Sequence, residues 1–149
     1  METIDESIQV ARLCQEVMHL FKHNMDRLLD DTGMSAPQGM LLGVLGRNKK
    51  MKITELSSQL CLSNSTVSGI IDRLEKQGMV YRERSEEDKR VVYVSISPDF
   101  KSHHEVFREK LEKNIETMMS QGDAEEIHKI FEGLVALKKL LSDRQKIRQ

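Results

Sequence analysis

Asp88-Lys89-Arg90 sets a carboxylate two residues before a guanidinium. In an extended segment residues two apart project on the same side, so Asp88 and Arg90 can pair. A cation held by such a pair is ready for a narrow, electronegative groove. Asn64, Ser65, Thr66, Ser68 and Gly69 follow Ser63 as a run of small groups that donate and accept hydrogen bonds. On a helix they would allow close approach to base edges and phosphates, and the helix N-terminus would add free N–H groups and a positive dipole end. Arg73, a turn further on, could reach a phosphate backbone. Four histidines are spaced for another chemistry. His19 and His23 are four apart, a helical spacing that can bind zinc, and His103-His104 precede Glu105. Two thiols, Cys14 and Cys61, complete the reactive set.

Long and short helices must position these groups. Ile4, Ile8, Ala11, Cys14, Met18, Phe21, Met25 and Leu28 form one apolar stripe at helical spacing, ended by Gly33. Ser35 then caps a helix with Pro37 in its first turn, carrying Met40, Leu41, Val44 and Leu45 and stopping near Gly46. Arg47-Asn48-Lys49-Lys50 reads as a polar connection. Thr54 is expected to cap a short helix containing Leu56 and Leu60. Cys61-Leu62 form a turn, and Ser63 caps a second helix whose stripe is Val67, Ile70, Ile71 and Leu74. Strands are expected near 80–84 and 91–96, rich in β-branched residues. Ser97-Pro98 opens a helix with stripe Phe107, Leu111, Ile115 and Met118. Asp123 and Glu126 resemble a capping box for a last helix, seamed by Ile127, Ile130, Leu134, Leu137 and Leu141.

This order predicts a mainly α protein with a small β-hairpin wing: a winged helix-turn-helix at 35–97, and a helical region at 1–34 and 98–149. In such a module the second short helix enters the DNA major groove and the hairpin tip meets the flanking minor groove. Ser63, Asn64, Ser65, Thr66, Ser68, Gly69, Arg73, Arg84, Asp88, Lys89 and Arg90 are the expected DNA-facing set. Asp88 organises the tip, while Arg84, Lys89 and Arg90 face DNA. Spacing alone fits equally a charged tip that keeps an edge strand soluble. The long helices cannot bury their seams alone, so the chain ends must pack on each other or on a second copy.

Composition sets bounds. The 149 residues suit one domain or two small interleaved parts, and net charge is -1. The distribution is uneven: ten Lys and Arg against seven Asp and Glu lie between Arg47 and Arg90, and 13 against 17 elsewhere. Mean hydropathy of -0.49 argues against a membrane protein. The acidic N-terminus lacks the basic and apolar regions of a secretion signal, and two cysteines suggest reduced thiols, so a cytoplasmic protein is expected. No nucleophile elbow, phosphate loop or His-Glu-x-x-His pattern occurs, so neither an enzyme nor a cofactor is expected. A winged helix serving as a protein-interaction module is the alternative that near-neutral charge favours.

The stretch TELSSQLCLSNSTVSGIIDRLEKQGMVYRERSEEDKRVVYVSIS resembles the DNA-binding core of the MarR family of transcriptional regulators. The family's wing signature, Asp-x-Arg followed by apolar residues, is matched by Asp88-Lys89-Arg90-Val91-Val92-Tyr93-Val94. Its segment ending the recognition helix is matched by Asp72-Arg73-Leu74-Glu75-Lys76-Gln77-Gly78. Ser97-Pro98-Asp99-Phe100 departs from a glycine common after the second strand. The resemblance implies a homodimer joined by the first and last two helices, binding pseudo-palindromic double-stranded DNA operators, usually as a repressor released by a small-molecule effector. Some members sense peroxides through a first-helix cysteine beside tyrosines. Here Tyr81 and Tyr93 both lie in the hairpin, so Cys14 reads as a buried structural cysteine and Cys61 as a small core residue. Zinc-sensing members use histidine and carboxylate clusters, which makes His19, His23, His103 and His104 the metal candidates.

Overall fold

The computed structural model describes the backbone of residues 2–146 and the side chains of 5–143. The side chain of Ile4 of the first stripe, and Met1 and residues 147–149 of the outer helical region, lie outside these. The chain divides into two units, Met1–Arg108 and Glu109–Gln149.

The first unit opens with α1 (Glu2–Leu29). Among its described residues only the C-terminal end is buried, at Met25 and Leu29, with Leu28 half-buried. Thus Leu29, one residue off the predicted stripe, goes deeper than Leu28. Upstream, Ile8, Met18 and Phe21 are exposed, and so is a second apolar row, Val10, Leu13, Val17 and Leu20, that the stripe did not include. A 3-10 turn (Asp30–Thr32) ends at Gly33, whose φ of 68° is the left-handed conformation glycine adopts freely.

Helix α2 (Ala36–Arg47) starts at a full capping box: Gln38 N–H donates to Ser35 Oγ, and Ser35 N–H donates to Gln38 Oε1. It buries Leu41, Leu42, Val44 and Leu45, whereas Met40, an expected core residue, is exposed. Directly after the polar connection comes a strand that the sequence reading did not expect. β1 (Met51–Lys52) pairs with the last strand, Met51 opposite Val94. Lys52, not Thr54, is the cap residue of α3 (Ile53–Leu60), and Glu55 closes the turn by accepting from Lys52 N–H at 2.8 Å.

Helix α4 (Asn64–Lys76) buries Val67, Ile70, Ile71 and Leu74, the whole predicted stripe. β2 (Val80–Arg84) and β3 (Val92–Ile96) form the hairpin, with Val80 opposite Ile96 and Arg84 opposite Val92. The antiparallel sheet has three strands in the order β1-β3-β2, one more than expected. Its buried face, Val80 and Val94, joins Leu41, Leu45, Leu56, Ile71 and Leu74 in one core. At Ser97-Pro98 the chain makes a 3-10 turn (Pro98–Phe100) with no side-chain cap before α5 (Lys101–Met119).

The second unit holds the end of α5 and α6 (Ala124–Lys146). Asp123 and Glu126 form the expected capping box, each backbone N–H donating to the other's carboxylate at 3.1 and 2.9 Å. Leu111, Ile115 and Met118 are half-buried, as is Leu137. The rest of the α6 seam, Ile127, Ile130, Leu134 and Leu141, is exposed, and Phe131, Val135 and Leu140 widen that apolar face. Among the described residues no helix is long and apolar enough to cross a membrane.

Candidate nucleic-acid interface

Helix α4 takes its start from Ser63. The Ser63 hydroxyl accepts from Thr66 N–H at 3.1 Å, satisfying an N-terminal donor. It also lies 2.7 Å from Thr66 Oγ1 and 3.1 Å from Ser65 Oγ. Three hydroxyls thus cluster at the helix start, and Ser63, Asn64, Ser65 and Thr66 are all exposed. Ser68 and Gly69, expected on the open face, are half-buried. A Cβ on Gly69 would meet nothing within 4 Å, so the chain's own packing does not require a glycine there. Arg73 is exposed one turn further on.

The hairpin tip is ordered by Asp88. Its Oδ1 accepts from Arg90 N–H and from Arg90 Nε, both at 3.1 Å, and its Oδ2 accepts from Arg90 Nη2 at 3.2 Å. Val91 N–H donates to Asp88 O, and Ser85 N–H to Val91 O, both at 2.9 Å. The expected pair is therefore present, but a turn makes it rather than an extended segment. The backbone folds back so that main chain and side chain of Arg90 share one carboxylate. Arg90's grip, first through its side chain and then its N–H, holds the Asp88 carboxyl below its ordinary value, helped by the charge of Lys52. The Arg90 side chain is still 91% exposed. Fixed at its root and open at its edge, it remains available to a further partner. Arg84 and Lys89 are exposed on the same hairpin.

One residue here escaped the sequence reading. Arg82 of β2 donates to Asp72 Oδ1 at 2.7 Å and to Glu75 Oε2 at 3.1 Å, and its Nη2 lies 3.5 Å from both Ser68 O and Ser68 Oγ. No local pattern announces it, because its partners are 7, 10 and 14 residues away. An arginine alternating with buried Val80 on the helix side of a strand was the only available signal.

One other expectation is corrected, and the metal candidates take their places. Cys61 is exposed rather than a small core residue, because it is the left-handed cap of α3 at φ 54° and its side chain turns outward. Cys14 is half-buried in the chain. His104, a metal candidate, is 5% exposed, with Nε2 3.0 Å from Leu42 O. A carbonyl only accepts, so Nε2 carries the proton there and the lone pair is left on Nδ1. The ring sits so closely on Gly46 that a Cβ there would collide with it. His103 stacks on Phe100 at 6.2 Å between ring centres, and His19 and His23 are exposed on α1. Among the described residues no three His, Cys, Asp or Glu side chains converge on a metal position.

A cavity of about 450 Å³ lies within the first unit. Arg47 and Lys49, Tyr81 of β2, and Lys101, Glu105 and Arg108 of α5 are among its lining. Cations outnumber carboxylates there.

Comparison with known proteins agrees with this geometry. A model of the MarR family matches residues 34–92. The uncharacterised HTH-type transcriptional regulator YfiV of Bacillus subtilis is 32% identical over 117 residues, 76% of this chain and 71% of its own length. In fold, the chain is similar to the transcriptional regulator BldR from Sulfolobus solfataricus, with a TM-score of 0.80 over 96% of this chain and 99% of that one at 24% identity. It is also similar to S. aureus MepR in its DNA complex, with a TM-score of 0.73 over 89% and 96% at 23% identity. A three-stranded winged helix, a hydroxyl-rich α4 and an Asp-x-Arg tip thus occur in a chain whose sequence matches the family model over residues 34–92 and a relative along 76% of its length: the chain belongs to the MarR family of transcriptional regulators.

Proposed function

We propose that this protein is a homodimeric repressor that reads an imperfect inverted repeat in double-stranded DNA. The observation that carries the reading is the wing tip: a 91%-exposed guanidinium held by a carboxylate through two side-chain bonds, on the same module as a helix that begins with exposed hydroxyls. Arg90 enters the minor groove. Ser63, Asn64, Ser65, Thr66, Ser68 and Gly69 meet the major groove and its phosphates, and Arg73, Arg84 and Lys89 meet the backbone. The open space at Gly69 gives room for close approach. Asp88 acts through Arg90 and touches no DNA.

Residues 35–97 form the DNA-binding domain, and 1–34 with 98–149 form the dimerisation region. The support is the pair of exposed apolar faces on α1 and α6, which a second copy would cover. Two-fold symmetry then sets two recognition helices about one helical turn, roughly 34 Å, apart. The effector is a small organic anion. The cavity carries this part, because its cations match a carboxylate and Tyr81 offers a ring. The protein works in the cytoplasm and catalyses no reaction.

Selection of genomic fragments with the purified protein, followed by affinity measurements across salt concentrations, tests the reading. The expected result is a selected site with an inverted repeat and affinity that falls steeply with salt. Absence of binding to any duplex at low salt would instead make the winged helix a protein-interaction module.

A further inference from the structure

Arg82 lies on the strand that leads to the wing tip, yet its guanidinium ends on α4. Its partners Ser68, Asp72 and Glu75 are at i, i+4 and i+7, one face of the helix over two turns. The planar fork gives Asp72 and Glu75 separate nitrogens, so rotation of α4 about its axis would break at least one bond. Arg82 is about one-quarter exposed, while the two carboxylates are about half exposed. Those carboxylates sit on the helix that approaches phosphate, where unpaired negative charge opposes binding.

Resting on the DNA-binding reading above, we propose that Arg82 is a positioning residue for sequence recognition: it fixes the angle between the recognition helix and the wing, so that both grooves are read in register. It contacts no base. It couples β2, and through β2 the tip that carries Arg90, to the face of α4. The bare carboxylates it covers make the same contact serve affinity, but the positional role predicts something charge alone does not.

Two variants change charge in opposite directions. Arg82→Ala removes one positive charge, and Asp72→Ala with Glu75→Ala removes two negative charges and both acceptors. Both cut the tie. The readout is the ratio of affinities for a wild-type-selected genomic fragment and a random duplex of equal length, at fixed salt. The ratio is expected to fall about tenfold in both variants, although binding to random duplex weakens in the first and strengthens in the second. An unchanged ratio in either folded variant overturns the proposal, even where overall affinity shifts, because that pattern is charge alone. Circular dichroism establishes folding, and if Arg82→Ala does not fold, the double variant decides. If the wild-type protein itself shows no preference for any fragment, the DNA-binding reading falls first and the role of Arg82 with it.

Discussion

Leu74 and Leu140 are both leucines on helices with apolar rows, yet Leu74 is fully buried and Leu140 is 68% exposed. Leu74 belongs to the winged helix, where three short helices and a small sheet close a core with Ile71, Leu56 and Leu41. Leu140 belongs to α6, whose apolar face is too wide for the partners its own unit supplies. The N-terminal part of α1 is alike, with Met18 at 63% and two apolar rows in water. A helix apolar on more than one side needs more than one neighbour. The winged helix is complete within one chain; the outer helices expose the faces that the proposed second copy would cover.

The harshest test of that contrast is removal of residues 1–28. It deletes buried Met25 as well as the exposed rows, and an aggregated or unfolded chain is expected. A well-folded monomer by sedimentation and circular dichroism would end the proposal of an obligate dimer. Next in size, Leu74→Ala should cost about 2–5 kcal/mol, because it opens a cavity in a closed core. Leu140→Ala would stay within about 0.5 kcal/mol if that face remained in water. A larger, concentration-dependent loss in thermal melts is expected instead, and a concentration-independent one would count against the dimer.

Smaller effects belong to the winged helix. Arg90→Ala should weaken operator binding by roughly 1–3 kcal/mol and lower the salt slope by about one. Asp88→Ala should also weaken it, although a negative charge is lost; tighter binding would remove Asp88 as the tip's organiser. Gly69→Ala separates fold from function. It should raise stability by about 0.5–1 kcal/mol, since nothing crowds the new methyl, and weaken DNA binding. The smallest signal is the Asp88 carboxyl itself. Its folded value lies below 3.8, so what it contributes is present above that pH and is lost only as pH falls through the lowered value. Carbon-detected NMR should show Asp88 titrating below 3.8, and moving upward in Arg90→Ala. No movement would mean the pair does not persist in solution.

What could be read from the sequence was local. Ser35, Ser63 and Asp123 announce their helices because a cap needs only three following residues. The row from Val67 to Leu74 is set by a period of the helix itself. What escaped depends on distant chain. Two residues, Met51 and Lys52, become a strand only because Tyr93 and Val94 arrive beside them. His104 read as a solvated histidine and a metal candidate beside Glu105, but Leu42 and Gly46, some sixty residues earlier, make it a buried residue. Of the expected interface, the hydroxyl run and the Asp-x-Arg pair were visible as short patterns. Arg82 was not, since its role exists only once β2 lies along α4. Cys61 was misread because a residue between two leucines looks buried until the backbone reverses there.

That outward turn gives the protein a chemical handle. A thiol-reactive fluorophore would label Cys61 ahead of Cys14, since one is exposed and the other half-buried. The dye would sit two residues before Ser63, where docking on DNA changes its surroundings, and would report occupancy without an introduced mutation. The same exposure sets a trap for the experimenter. Two molecules left in air can join through their Cys61 sulfurs, and that covalent pair would run as a dimer in a non-reducing gel whatever the outer helices do. Oligomeric state should therefore be measured with reductant present, or in Cys61→Ser.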